Sequence, residues 1–185
     1  MSPIGHSLVG LALSTVAMPR GCSFKSKFCI SFAYVALANL PDWPIPMWGH
    51  DRYDISHSVF VNAALIALLV SCWLVIPRIN ARAQNRIVLF GAAAWLSHLL
   101  LDSFYNHGRG IGIYWPFSDG RLVLSMPWFS TLDLDQAIYA QHNLSVFAIE
   151  LVAYFPILVL TVVVRRRTIL PNRARDDKVI NQSRK

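Results

Sequence analysis

Apolar residues gather into five blocks along the chain, separated by stretches rich in Pro, Gly and charge. Residues 57–76 (HSVFVNAALIALLVSCWLVI) contain no Lys, Arg, Asp or Glu, while 87–105 (IVLFGAAAWLSHLLLDSFY) and 144–164 (LSVFAIELVAYFPILVLTVVV) contain one carboxylate each. These blocks approach or reach the roughly 20 residues that a helix needs to cross a bilayer, and three spans are expected there. Residues 4–18 and 28–40 are shorter, reaching only ~20 Å as helices at the usual rise per residue, and are expected either to span or to lie half-inserted. Nothing basic precedes the first block, and Pro19 and Arg20 follow it directly, so it reads as a retained segment rather than a cleaved signal.

Between the last two blocks, residues 108–141 form a loop long enough to need a purpose. Its stretch "GIYWPFSDGRLVLS" sets Asp119-Gly120 between two strand-prone runs, which predicts a small hairpin. Tyr114, Trp115, Phe117, Trp128 and Phe129 suit the headgroup layer, where a ring can be half wet. The expected fold is all-α: a polytopic membrane protein of four to five hydrophobic helices with a β-hairpin in the long outer loop. Residues 1–164 would form the membrane body, and 165–185 a basic tail expected to be disordered beyond the last helix.

Composition agrees with that picture. Of 185 residues 55% are hydrophobic and 15% charged, with a mean hydropathy of +0.43, far from the usual soluble domain. The net charge of +7 is unevenly placed. Arg20, Lys25 and Lys27 follow the first block; Arg78, Arg82 and Arg86 follow the third; Arg165, Arg166, Arg167, Arg173, Arg175, Lys178, Arg184 and Lys185 follow the fifth. Only Arg52, Arg109 and Arg121 fall in the alternate loops. The positive-inside rule then gives a multi-pass protein of the inner (plasma) membrane, N-terminus outside and tail cytoplasmic. Its partners would be membrane lipids. Nucleic acid is disfavoured, because the basic tail has no interleaved aromatics or reading motif. Cys22, Cys29 and Cys72 form no CxxC pair and are expected to be reduced.

On this topology the chemistry-bearing residues converge on one face of the membrane: His6, Asp42, His57, His98, Asp102 and His107. The orientation rests on Lys and Arg alone, so the convergence is independent of it. His98 and Asp102 are four residues apart on one helix face and can aim a nitrogen and an oxygen at a single ion. His57 and Asp42 would complete a mixed shell suited to zinc, with manganese or iron tolerated. A lone histidine at a helix end, such as His6, His50 or His142, can equally cap carbonyls, and an Asp after Pro can start a turn. A carboxylate buried in a lipid-facing helix is costly without a partner, so Asp102 reads as functional.

The order of "GHSLVG", "NLPDW", "ISHS", "SHLLLD" and "YWPFSDGR" resembles the YdjM-type family of predicted membrane-bound metal-dependent hydrolases. That family is itself similar in ligand pattern to the zinc-dependent phospholipase C and P1 nuclease group. The resemblance runs from about His6 to Arg121. It implies an all-helical scaffold with His6, Asp42, His57, His98 and Asp102 at ligand positions, and His107 where relatives carry a further His or Asp. Asp42 is followed by Trp43 and Pro44 rather than by a second carboxylate, and His142 and Glu150 lie eight residues apart, about 12 Å along a helix. One or two metals are therefore expected rather than three. Glu150 is expected to supply a ligand from a neighbouring helix or to pair with a buried Arg or His.

The expected function is a metal-dependent hydrolase, acting through metal-activated water on a phosphoester of a lipid or lipid-linked molecule at the interface. Asp42 and Asp102 would be catalytic, and Arg52 and Arg109 would hold phosphate oxygens or anchor headgroups. Asp51, Asp54 or His50 would accept a proton or support His57. The alternative is a non-catalytic scaffold or regulator, stabilised by metal and engaging a cytoplasmic partner through its basic tail. Metal or proton transport ranks last, since Glu150 is nearly the only polar candidate deep in the bilayer.

Overall fold

A computed structural model describes residues 2–75, 81–105, 110–124 and 126–182. Among them the chain forms six helices: α1 (Pro3–Ala17), α2 (Phe24–Asn39), α3 (Tyr53–Ser56), α4 (Val59–Val75), α5 (Ala81–Asp102) and α6 (Gln141–Gln182). Two 3-10 turns, Leu40–Asp42 and Gly49–Arg52, join α2 to α3. The boundary drawn from charge at residues 164 and 165 falls inside α6.

α1 sits at the centre, packed against α2, α5 and α6. Its start is specified locally: Ser2 caps it by accepting from the Ile4 amide, and Pro3 occupies the first turn, where a missing N–H costs nothing. Small residues let the helices approach closely. A Cβ on Gly10 would lie 2.8 Å from the Tyr34 carbonyl oxygen and 3.1 Å from Ala38 Cβ, so α1 and α2 meet there almost backbone to backbone. Ala17, Tyr34 and Ala94 form one buried cluster among α1, α2 and α5, and the Tyr34 hydroxyl donates to the Ile87 carbonyl at 2.6 Å. A second cluster, Leu101, Tyr105, Phe129 and Tyr154, joins the end of α5 to α6.

The partner for both ends of α1 comes from α6. The buried Glu150 carboxylate accepts from the Ser2 amide at 2.7 Å, from the Ser2 hydroxyl, and from the Gly5 amide at 2.9 Å. At the other end Arg165 donates to the carbonyls of Thr15, Met18 (2.6 Å) and Pro19 (3.3 Å). The two anchors stand fifteen residues apart and α1 is 15 residues long, so the helices run parallel in matching register. An anion at the N-terminus and a cation at the C-terminus complement the dipole of α1.

Among the described residues, one helix meets the length and hydropathy needed to cross a membrane: Gln141–Arg167, 27 residues with mean hydropathy 2.4. Leu151, Val152, Phe155, Leu160 and Val164 are exposed along it, a surface suited to lipid rather than water. Pro3–Ala17 and Val59–Trp73 are shorter apolar helices. The fourth block extends N-terminally through Arg82 and Arg86, and its helix stops at Asp102.

The hairpin expected around Asp119-Gly120 is not built as strands. A single antiparallel bridge joins Ile111 and Leu122, with amide donors at 3.1 and 2.9 Å, and turns occupy residues between. Three further backbone hydrogen bonds tie the loop to the helices. Leu124 donates to Ser103 and Met126 to Phe104 at the end of α5, while Val59, at the start of α4, donates to Ile113. Tyr114, Phe117 and Trp128 are exposed, as headgroup anchors would be, and Trp115 is half-buried. Phe129 instead belongs to the core, its ring centroid 4.9 Å from that of Tyr105. Cys22, Cys29 and Cys72 are free thiols.

Candidate metal centre

Four separate elements deliver the site. His6 comes from the first turns of α1, Asp42 from the 3-10 turn after α2, His57 from the residue that caps α3, and His98 and Asp102 from the last turns of α5. Asp42 is held by a compact turn, with Trp43 donating to the Leu40 carbonyl at 3.1 Å and the Trp48 indole to the same oxygen at 2.8 Å. Gly49 makes that fold-back possible: its φ is +59°, and a Cβ there would lie 2.3 Å from the Trp43 carbonyl.

The side chains meet at one point. One ligand atom from each of His6, Asp42, His98 and Asp102 lies within 4.8 Å of every other. His57 Nε2 adds itself, 3.2 Å from Asp102, 3.3 Å from Asp42 and 3.3 Å from His98 Nε2. His6 Nε2 is 3.2 Å from the other oxygen of Asp102, and its ring stacks on His98 at 3.8 Å. His6, His57, His98 and Asp102 are at most 2% exposed, whereas Asp42 keeps 24% of its side chain exposed and forms the open edge.

The tautomers follow from the outer contacts. The Ala38 carbonyl can only accept, so His98 Nδ1, 2.8 Å away, carries the proton, and Nε2 turns a lone pair inward. His57 Nδ1 similarly faces the Tyr53 carbonyl at 3.1 Å and Ser56 Oγ at 2.8 Å. Two inward lone pairs 3.3 Å apart, beside two carboxylates, need a positive charge between them. Both nitrogens of His6 are buried without a hydrogen-bond partner, which an ion at the centre would satisfy for Nε2. The donor set therefore fits a divalent cation. Protons can compete for the same atoms. Burial pushes the Asp42 carboxyl upward, but hydrogen bonds from protonated His57 and His98 outweigh it and hold the group well below the usual carboxylate range.

Other expected residues stand elsewhere. Arg52 is exposed at the end of its 3-10 turn, and His107 and Arg109 lie outside the described residues, as do the side chains of His50 and Asp51. Asp54 does not support His57, because Arg121 holds its carboxylate at 2.8 Å; the Tyr53 carbonyl and Ser56 take that role. Among the described residues Glu150 is not one of the ligand group and has no ion pair with an Arg or His; both its oxygens accept from the start of α1. His142 donates to or accepts nothing from the cluster and lies 2.9 Å from the Thr131 carbonyl, where its Nε2 is the donor.

Two supporting residues escaped the sequence reading. Tyr53 stacks on His57 at 3.8 Å. Asn62 is buried, donating to the Ser56 and Ser58 carbonyls at 2.7 Å and accepting from the Trp95 indole at 2.6 Å, so it pins the His57 turn to α4 and α5. A lone Asn in an otherwise apolar run was the available signal.

A helical membrane-type scaffold around a buried His/Asp cluster fit for a divalent cation defines the class of protein. The chain belongs to the YdjM inner membrane protein family, which it matches over residues 1–168, and the inner membrane is its location. It is 32% identical over 130 residues to Inner membrane protein YbcI of Escherichia coli (strain K12). That match covers 65% of this chain and 66% of the relative, just under two thirds of its length. No solved structure matches the chain.

Proposed function

We propose that this protein is a metal-dependent hydrolase, with zinc as its metal, that cleaves a phosphoester of a lipid or lipid-linked substrate at the outer face of the inner membrane. The observation that carries the reading is the convergence of His6, Asp42, His98 and Asp102, from two helices and a turn, within 4.8 Å. The motif likeness to the zinc-dependent phospholipase C and P1 nuclease group supports the choice of reaction, and the open edge at Asp42 supports access for water and substrate. A bound divalent ion would acidify water toward neutrality and polarise a phosphoryl oxygen. Asp42 and Asp102 orient ligand and water, Arg52 and Arg109 steady the phosphate, and His107 adds a ligand from the loop. The basic residues between and after the helices support a multi-pass topology with the tail cytoplasmic.

Near-complete burial of His6, His57, His98 and Asp102 favours a second reading, a closed structural metal site in a non-catalytic scaffold. Elemental analysis of detergent-purified protein, wild type against His98→Ala and Asp102→Ala, tests the metal. One or more ions per chain, lost in both variants, is the expected result; a folded wild type that takes up none rejects the site. A screen of phospholipids and lipid-linked phosphates then separates the readings. Turnover abolished by Asp102→Asn supports the enzyme, and metal without turnover supports the scaffold.

A further inference from the structure

The three histidines of the cluster are not supported alike. His98 is oriented by the Ala38 carbonyl, and His57 by the Tyr53 carbonyl and Ser56. His6 has no such hydrogen bond on either ring nitrogen, although it is 1% exposed. Beyond the 3.2 Å approach of its Nε2 to Asp102, its position depends on where the first turn of α1 stands, and on the stack against His98. That first turn is held from outside the helix. One Glu150 oxygen accepts from the Ser2 amide, and the other from the Ser2 hydroxyl and the Gly5 amide. Gly5 directly precedes His6.

We infer that Glu150 is a positioning residue for the metal centre: by gripping the N-terminus of α1 it sets the height and rotation of His6, doing through the backbone what Ala38 does directly for His98. The inference rests on the metal reading of the cluster. With both oxygens engaged on α1, Glu150 acts without coordinating the ion. A carboxylate matches three converging donors, whereas a Gln would turn an N–H₂ group toward one of them and force the turn to shift. Loss of an outer contact of this kind commonly costs metal affinity about 10- to 100-fold.

The test uses full-length protein in detergent with Co²⁺ as the probe, reading dissociation constant, visible absorption band and melting temperature together. Glu150→Gln is expected to weaken Co²⁺ binding by about 10- to 100-fold and to move the band, measured well below the variant's melting temperature. Ser2→Ala, which removes one of the three donors and should fold even if Glu150→Gln does not, is expected to weaken binding in the same direction by less. Wild-type affinity and spectrum in Glu150→Gln would overturn the inference whatever happens to its melting temperature. An effect of Glu150→Gln with none from Ser2→Ala would overturn it in favour of direct coordination. A folded wild type that binds no Co²⁺ would overturn the metal reading itself, and this inference with it.

Discussion

At His98 both ring nitrogens are committed, one to the Ala38 carbonyl and one to the centre of the cluster, so its chemistry follows from its neighbours more than from its identity. The same Nε2 atoms that would ligate a cation can take protons. Metal uptake is therefore expected to fall as pH drops and to recover on raising it, which titration calorimetry at two pH values would read. Asp42 follows the carboxylate sign. Its depressed folded-state pKa contributes stability that is complete above the unfolded value, about 4, and is lost only as pH falls toward the lower folded value. Metal loss on acidification should thus precede loss of fold, a separation that circular dichroism beside metal content would detect. Asn62 offers a residue-scale test of the scaffold. Replacing it by Leu strands the Trp95 indole and the Ser56 carbonyl, while the Ser58 carbonyl keeps the backbone amide of residue 62, and is expected to cost about 1–3 kcal/mol in denaturation, with weaker metal binding.

Among the elements α1 is the most dependent on others. Its sequence specifies the start, through Ser2 and Pro3, but its placement comes from Gly10 against α2 and from Glu150 and Arg165 on α6. Arg165→Ala is expected to lower stability by about 1–2 kcal/mol, seen as a lower melting temperature, because the last carbonyls of α1 lose a cationic cap. Gly10→Leu is expected to cost more, since even a Cβ would collide with backbone that cannot swing away. The helix blocks were legible as apolar runs, and the pairing of His98 with Asp102 as a four-residue spacing. The parallel alliance of α1 with α6 was not, because residues 148 apart in sequence leave no local pattern.

For the whole molecule the decisive question is which side of the membrane the cluster faces. A reporter fused after Lys185 is expected to be cytoplasmic and one inserted beside Asp119 external. The reverse result would move the cluster to the inside and change the pool of substrates it meets. The exposed apolar face of α6, with the short apolar helix α1 packed against it, and the apolar α4 beside α5 are the physical basis for expecting that the body lies within the bilayer.

Sequence by itself determined the helical class, the family, the basic asymmetry and the candidate His and Asp residues, because each is written in residue type and short-range spacing. Tertiary structure alone decided which polar residues share a centre and which are spent elsewhere. It brought His57 and Asp42 onto the His98–Asp102 face, and gave Asp54 to Arg121. It also turned Phe129 into core and assigned Glu150 to the end of α1. The reason is that a buried polar group is satisfied by whatever donor or acceptor packing brings within about 3 Å, and packing partners are set by the fold rather than by distance along the chain.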